Sequence, residues 1–443
     1  MIDPNPSGTS PVSSVSTSAE WPLWQKIGFR FFFVFFILYC LLVPSDVLLH
    51  YGNIFYPFIN WFQFFIIWAA KSLFHLSVMP VTRSLGDSGG DATFDYLLYL
   101  FVLLVAATAT AIWSYTGRKT RNYNLLFHWL LVVLRYFVAF TFIFFGAAKV
   151  FLVQFPAPNI GRLMERVGDM SPMGLAWTYM GYSRWFNYFT GGSELLCAGL
   201  LFFRRTTRAG VVMGIVLLLN IVAINFCFDV CVKISSTTLL LMCLFILVPD
   251  YGNFILFFFG GQNAAAFNRV QPALRATYGN KILSIVKYGL IAYALYWNYG
   301  VMTDQVATYG NGRYTTQKTP LAGLYQVETF VRGHDTLKPL ITDTICWHRF
   351  WISRPGAATV QLMNDSTRLY GLKVDTLNHK LTLAEGDGQR FDLKYIVQGK
   401  GIVLLAGRWK KDSIKVRLHK IELNSFRLIN RGFHMINEAP YNR

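Results

Sequence analysis

The stretch from Ile224 to Ser236 reads INFCFDVCVKISS and places an Asn, an Asp, a Lys and two Cys between two long apolar runs. Polar residues within or at the edge of a membrane are costly and by default mark a functional site, whereas in a soluble loop they would mean little. Cys227 and Cys231 share one helical face if a helix continues through them. In an oxidising compartment such a pair predicts thiol exchange; two small buried hydrophobic residues are the alternative.

Further polar residues interrupt the neighbouring apolar runs. Counting 1.5 Å per helical residue from the predicted inner edge puts Arg135 and Asn220 at similar depths near the midplane. The same count brings together an outer layer, which consists of Lys149, Glu194, Asn225, Asp229 and Lys233. Opposite charges at that depth should pair. These seven residues are the candidates for a polar ligand or redox pocket, of which NFCFDVCVK supplies one wall; ion pairs that only fix helix packing, and unrelated residues that reach the interface, are the alternatives.

The composition predicts an integral membrane protein. The chain has 443 residues, of which 53% are hydrophobic and only 14% are charged, whereas soluble domains carry about a quarter charged residues. The net charge of +18 comes partly from basic clusters between apolar runs, which are topology signals. With no phosphate loop and no RNA-binding signature, nucleic acid is not an expected partner. The six cysteines lie mostly in apolar segments and suggest no disulfide framework.

Seven runs are long enough to cross a bilayer as helices, and the bilayer is therefore an expected partner. They lie near residues 28–46, 95–115, 125–151, 185–203, 209–228, 236–256 and 282–301. Basic residues cluster in alternate connectors, so the positive-inside rule predicts a bacterial inner-membrane protein with its N-terminus in the cytoplasm and its C-terminal region in the periplasm. The aromatic stretch near 54–70 is interrupted by polar residues and Pro57, and we expect it to lie in the interface rather than to span.

After about residue 302 the pattern changes to alternation of apolar and polar residues. In SIKVRLHKI, Ile414, Val416 and Leu418 alternate with basic residues, as in a half-buried strand. Eight similar short runs, from LYQVETFV to SFRLIN, are separated by turn-forming stretches. About eight or nine strands at this spacing predict an antiparallel β-barrel or β-sandwich.

Two other signals carry no chemistry. GDSGG at Gly86 to Gly90 spells the sequence around a serine-protease nucleophile, but it stands in a short loop between membrane segments and reads as a glycine-rich turn. The histidines of the C-terminal region have no zinc-like spacing, so no metal site is expected.

The segment from about Leu131 to Gly260 resembles the DoxX-like four-helix membrane module. The resemblance rests on FGAAKV with Gly146 and Lys149, on GGSELLCAGLLF with Gly192 and Glu194, on the basic RRTTRAG turn, and on NFCFDVCVKISSTTLLLMCLFILVPD. It covers less than a third of the chain. The layout also looks like that of the longer DoxX-type proteins of Bacteroidota. The resemblance implies a membrane-complex subunit; founding members are associated with thiosulfate:quinone oxidoreductase, and others with thiol and oxidative stress.

Together these features predict a polytopic α-helical membrane protein that includes a DoxX-like four-helix bundle and ends in an antiparallel β-domain. The predicted parts are a disordered tail (1–22), two spans with an interfacial segment (23–124), the DoxX-like module (125–260), a cytoplasmic segment with the last span (261–301) and the periplasmic β-domain (302–443). One hypothesis is a non-catalytic anchor or docking subunit that binds protein partners in the membrane or periplasm. The other is a quinone-linked or thiol-linked oxidoreductase subunit. With no haem or flavin motif evident, a quinone is the cofactor that the second hypothesis would use.

Overall fold

The computed structural model describes residues 20–42, 91–259, 277–309 and 321–431 except single positions 355, 387, 400 and 411, together with isolated residues between 64 and 75 and at 434 and 435. Several predicted features lie outside the described residues: most of the disordered tail and of the interfacial segment, the GDSGG stretch, and most of the cytoplasmic segment before the last helix.

A helix overlaps most of each of the seven predicted spans. They are α1 (Leu23–Leu42), α2 (Thr93–Thr116), α3 (Asn124–Val150), α4 (Ile160–Met164), α5 (Pro172–Tyr182), α6 (Arg184–Phe202), α7 (Thr207–Cys227), α8 (Lys233–Leu247), α9 (Tyr251–Phe259), α10 (Thr277–Tyr309) and α11 (Arg427–Asn430). Five described helices are long and apolar enough to cross a membrane: α1, α2, α3, α7, and α8 with the 3₁₀ turn that extends it to Asp250. Several helices that are long and apolar enough to cross a membrane are therefore confirmed; the count of seven, and the four-helix bundle, stay predictions.

The chain divides into two compact units, residues 1–141 with 197–290, and residues 142–196 with 291–443. In the first unit, aromatic side chains pack α1 against its neighbours. Phe29 stacks on Tyr123 with ring centroids 5.2 Å apart, and Phe32 meets Phe245 of α8 at 5.3 Å. Flat aromatic rings bury a large apolar area in each contact, so this half of the molecule is held chiefly by ring packing.

The second unit contains the β-domain, and its strands form a barrel. The described strands are β1 (Gly323–Arg332), β2 (Asp335–Thr336), β3 (Trp347–Arg354), β4 (Ala357–Leu362), β5 (Thr367–Asp375), β6 (Lys380–Ala384), β7 (Arg390–Gln398), β8 (Ile402–Trp409) and β9 (Asp412–Ile421). From β3 to β9, each strand pairs antiparallel with the next. Strand β1 pairs with both β3 and β9, which closes a barrel of eight strands, and the short β2 pairs only with one end of β1. The barrel interpretation is confirmed.

The barrel interior is filled with side chains, as period-2 alternation dictates. Phe350, Val360, Leu381 and Leu393 are among the inward residues with at most 1% exposure. An eight-stranded barrel has an interior just wide enough for side chains to fill it. The core of this domain is therefore a solid apolar one.

Two boundaries differ from the prediction. Helix α10 continues to Tyr309, past the expected domain boundary at residue 302. The predicted strand SFRLIN is wrong, because residues 423–425 form a 3₁₀ turn and α11 follows. Leu423 and Phe426 pack on the outside of the barrel instead of entering the sheet. The apolar residues of this segment cover the outer side of the barrel. The alternation of apolar and polar residues does not distinguish such a segment from a strand.

The linker between α3 and α6 packs on the outer wall of the barrel within the second unit. Leu324 and Trp351 are cross-strand partners on β1 and β3 that point outward, yet both are almost fully buried. Ile160 and Met164 of α4 cover them. Arg166 also forms an ion pair with a carboxylate in the β4–β5 turn. The barrel and the α3–α6 linker are therefore in direct contact.

Candidate functional site

Helices α3 and α6 cross at two glycines, and the crossing brings two predicted site residues together. A Cβ on Gly191 would lie 2.7 Å from the carbonyl oxygen of Gly146, so the backbones nearly touch. Lys149 and Glu194 lie three residues further along their respective helices, and residues three apart share a helix face. The Lys149 ammonium donates to both carboxylate oxygens of Glu194, at 2.9 and 2.8 Å. The predicted pairing of these two charges is thus present.

The Lys149–Glu194 pair is enclosed by apolar groups. The two side chains are only 9% and 4% exposed. The rings of Phe145 and Phe155 each lie 5.7 Å from the Lys149 nitrogen, within the range of a cation–π contact. Two opposite charges that pair in a buried place compensate each other, as in ion pairs that fix helix packing. The glycine that makes the crossing is Gly191, whereas the sequence analysis named Gly192, which has nothing within 4 Å of its Cβ direction.

In the first unit, a second polar group surrounds the start of α8. The Asp91 carboxylate accepts hydrogen bonds from the backbone N–H groups of Lys233 (2.8 Å) and Ile234 (3.1 Å). It therefore caps the N-terminus of a helix 142 residues away in sequence. The Lys233 ammonium lies 3.7 Å from Asp91 and 2.9 Å from Asp229. The cap and the ion pairs together fix the α7–α8 turn.

Asp229 and Asn225 play different parts in this turn. Asp229 has a positive φ of 52° and an exposed side chain, and its pKa is lowered by the hydrogen bond and the charge of Lys233. Asn225 is buried and donates to the Ser236 hydroxyl at 3.0 Å, which joins α7 to α8. One residue thus terminates the helix in solvent-accessible surroundings, while the other links two helices internally.

The two cysteines do not share a helical face. Helix α7 ends at Cys227, and the turn through Asp229 separates it from Cys231. The condition that the helix continues is therefore not met. Cys227 is exposed and Cys231 half-buried; none of the six cysteines, all of which are within the described residues, forms a disulfide.

The predicted midplane layer of Arg135 and Asn220 is also wrong. Arg135 is buried and donates to the hydroxyl of Thr207, the first residue of α7, at 3.2 Å. Asn220 is exposed and lies 13 residues further along the same helix, a rise of about 20 Å. The count assumed that α3 and α7 start at the same depth, but the α6–α7 turn lies beside the fourth turn of α3.

Two polar residues that the sequence analysis did not single out have structural roles. Arg30 is only 1% exposed, and it donates to the Tyr123 hydroxyl and to Ser114, both at 2.8 Å. Its stacking and hydrogen bonds join α1 to the α2–α3 turn. Asp91, the distant cap described above, was hidden in the Gly-rich stretch. Only for Arg30 was there a signal, an arginine inside an otherwise apolar run.

The predicted site residues are divided between the two units. Lys149 and Glu194 belong to the second unit, whereas the Asn225, Asp229 and Lys233 group belongs to the first. Among the described residues, no set of three or more His, Cys, Asp or Glu side chains is arranged to hold a metal ion. The hydrogen bonds and ion pairs described above join most members of each group to one another.

The chain is similar to a protein of Bacillus subtilis (strain 168) that bears the name uncharacterized protein YwoB. The two are 39% identical over 123 residues, which is 27% of this chain and 77% of the relative. No family model matches the chain. No solved structure matches it either.

Proposed function

This chain belongs to the same family as YwoB of Bacillus subtilis, and we propose that it acts as a non-catalytic anchor and docking subunit of a complex in a bacterial inner membrane. In this proposal the helices hold the protein in the bilayer, and the periplasmic β-barrel presents its outer surface to protein partners. We also propose that the helical part contains a DoxX-like four-helix module. The observation that carries it is that the Lys149 and Glu194 charges satisfy each other at 2.8 Å, as packing contacts do.

The barrel gives the proposal its docking surface. Its interior is filled with apolar side chains, so a ligand would have to bind outside. Several outward side chains on it are both apolar and exposed, among them Leu369 on β5 and Ile396 on β7. A protein partner that covers these side chains would gain buried apolar area.

The contact between barrel and linker restricts the number of membrane crossings between them. Because Ile160 packs on Leu324 and Trp351, the α3–α6 linker and the barrel belong on the same side of a membrane. Between them the chain must then cross an even number of times. If α7 and α8 both cross, α6 and α10 cross together or not at all. Phe202, at the end of α6, packs at 5.4 Å against Phe140 of α3, and this supports α6 as a span beside α3.

A direct test compares partner binding with and without the barrel. Affinity purification of the full chain from its own membranes should recover specific partners, and deletion of residues 310–443 should abolish the recovery. The truncated helices should remain monodisperse in detergent, since a misfolded variant would lose partners trivially. Partners that are retained by a monodisperse truncated chain would contradict the docking role.

A quinone-linked or thiol-linked oxidoreductase subunit is the second candidate, and one observation favours it. Cys227 and Cys231 both carry thiols beside a polar turn, and Cys227 is exposed. Extraction of the purified protein for quinone, together with trapping of the two thiols by alkylation in intact cells, tests this candidate. It requires bound quinone or a cycle between thiol and disulfide. Our first proposal predicts no quinone and two thiols that stay reduced.

A further inference from the structure

Three basic side chains from three parts of the first unit meet at the α6–α7 turn. Arg204 lies in the turn itself, Arg135 reaches it from α3, and Lys287 reaches it from α10. The Lys287 ammonium lies 4.6 Å from the centroid of the Phe203 ring. We call Arg135, Arg204 and Lys287 the cationic cluster.

The surroundings of the cationic cluster add to its positive potential. Helix α7 begins at Thr207, to whose hydroxyl Arg135 donates, and the Thr206 side chain makes no capping hydrogen bond. The N-terminal end of a helix of this length carries a partial positive charge.

Basic groups gathered beside one turn raise the local positive potential, and a positive potential attracts anions. Guanidinium groups match the geometry of phosphate oxygens, with two parallel hydrogen bonds from each arginine. The RRTTR turn is on the side that the positive-inside rule assigns to the cytoplasm, where basic pockets between helices bind phospholipid head groups.

We propose that the cationic cluster binds the phosphate group of an anionic phospholipid in the inner leaflet. A phospholipid is favoured over free phosphate because the side chains beside the cluster are apolar and exposed. Phe203 is 48% exposed, and Tyr288 and Ile285 on α10 are 56% and 71% exposed. Acyl chains can cover this surface while the phosphate contacts the cations. The site concerns the helices alone, so it does not depend on the docking role of the barrel.

The test titrates the full chain in neutral detergent with short-chain phosphatidylglycerol, with short-chain phosphatidylcholine, and with inorganic phosphate. The readout is the shift of the thermal unfolding midpoint, and native mass spectrometry counts the lipids retained. The test variant is Arg204→Gln with Lys287→Gln, which leaves the buried Arg135 in place so that the chain can fold. The matched control is Arg205→Gln with Lys281→Gln, which removes the same charge from the same turn and the same helix.

Phosphatidylglycerol should raise the midpoint of the unaltered chain and of the control, whereas phosphatidylcholine should not. The test variant should bind phosphatidylglycerol at least about tenfold more weakly, since each cation near a lipid phosphate contributes appreciably to binding. Equal effects of the two lipids, or equal losses in the control and test variants, would overturn the proposal. Stabilisation by inorganic phosphate that matches that by phosphatidylglycerol would instead assign the cluster to a free anion and overturn the lipid assignment.

Discussion

Gly146 and Gly191 approach each other so closely that a Cβ on either would lie within 2.9 Å of the other's carbonyl oxygen. Helices in membranes associate through small residues of this kind, because lipid removes the usual hydrophobic drive between them. The approach occurs one turn before Lys149 and Glu194, and it makes their pairing possible. The backbone contact and the buried ion pair therefore belong to the same crossing of α3 and α6.

Substitution of the two adjacent glycines in α6 should have opposite effects. Gly191→Ala should destabilise the protein by about 1–3 kcal/mol, because the added methyl meets the Gly146 backbone at 2.7 Å. Gly192→Ala is the matched control, with nothing within 4 Å of the new methyl. It should stabilise by up to about 1 kcal/mol through its better helix propensity. Chemical unfolding in detergent measures both; equal effects would show that the crossing is loose.

Removal of the distant helix cap should loosen the α7–α8 turn. Asp91→Ala should cost about 1–2 kcal/mol, because the first N–H groups of α8 lose their acceptor. Asp229→Asn removes the charge of an exposed ion pair with Lys233 but keeps a residue that tolerates the positive φ, and it should leave the unfolding midpoint nearly unchanged. Hydrogen exchange of the amides in the first turn of α8 should rise in the first variant. Unchanged protection there would exclude Asp91 as the cap.

The seam that closes the barrel should respond to acid. Glu328 sits at a β-bulge between β1 and β9, and the hydrogen bond from His419, followed by that from Arg417, lowers the pKa of its carboxyl below the ordinary 4.5. A lowered folded pKa means that this carboxylate stabilises the barrel above about pH 4.5, and that the contribution is lost as pH falls through the folded pKa.

The thermal unfolding midpoint of Glu328→Gln should therefore be lower than that of the unaltered chain at pH 6. This difference between the two midpoints should vanish towards pH 3. Glu422→Gln, an exposed glutamate just after β9, is the charge-matched control. A difference of the same size at both pH values would mean that the bulge, rather than the carboxylate charge, stabilises the seam.

Local patterns predicted the elements well. Alternation in SIKVRLHKI predicted β9, and the apolar runs predicted the helices, because each pattern reflects one face buried along one element. The closure of β1 on β9 had no local signal, since it joins residues about 90 apart. SFRLIN failed because its apolar residues cover the barrel from outside.

The candidate site was predicted only where a simple depth count sufficed. Lys149 and Glu194 meet as expected, because α3 and α6 are joined by a linker near that level and run antiparallel. The same count failed for Arg135, whose partner Thr207 starts a helix at a different depth. Asp91 could not be found at all, because a cap supplied from across the chain leaves no spacing in the sequence.

The measurement that bears most directly on the anchor role is an unfolding cycle of Lys149→Met, Glu194→Met and the double variant, with partner recovery from membranes measured for each. Removing one charge of a buried pair leaves the other uncompensated, so each single variant should lose about 3–5 kcal/mol. The double variant should regain nearly full stability and recover the same partners. A double variant that is stable but has lost its partners would contradict a purely structural pair.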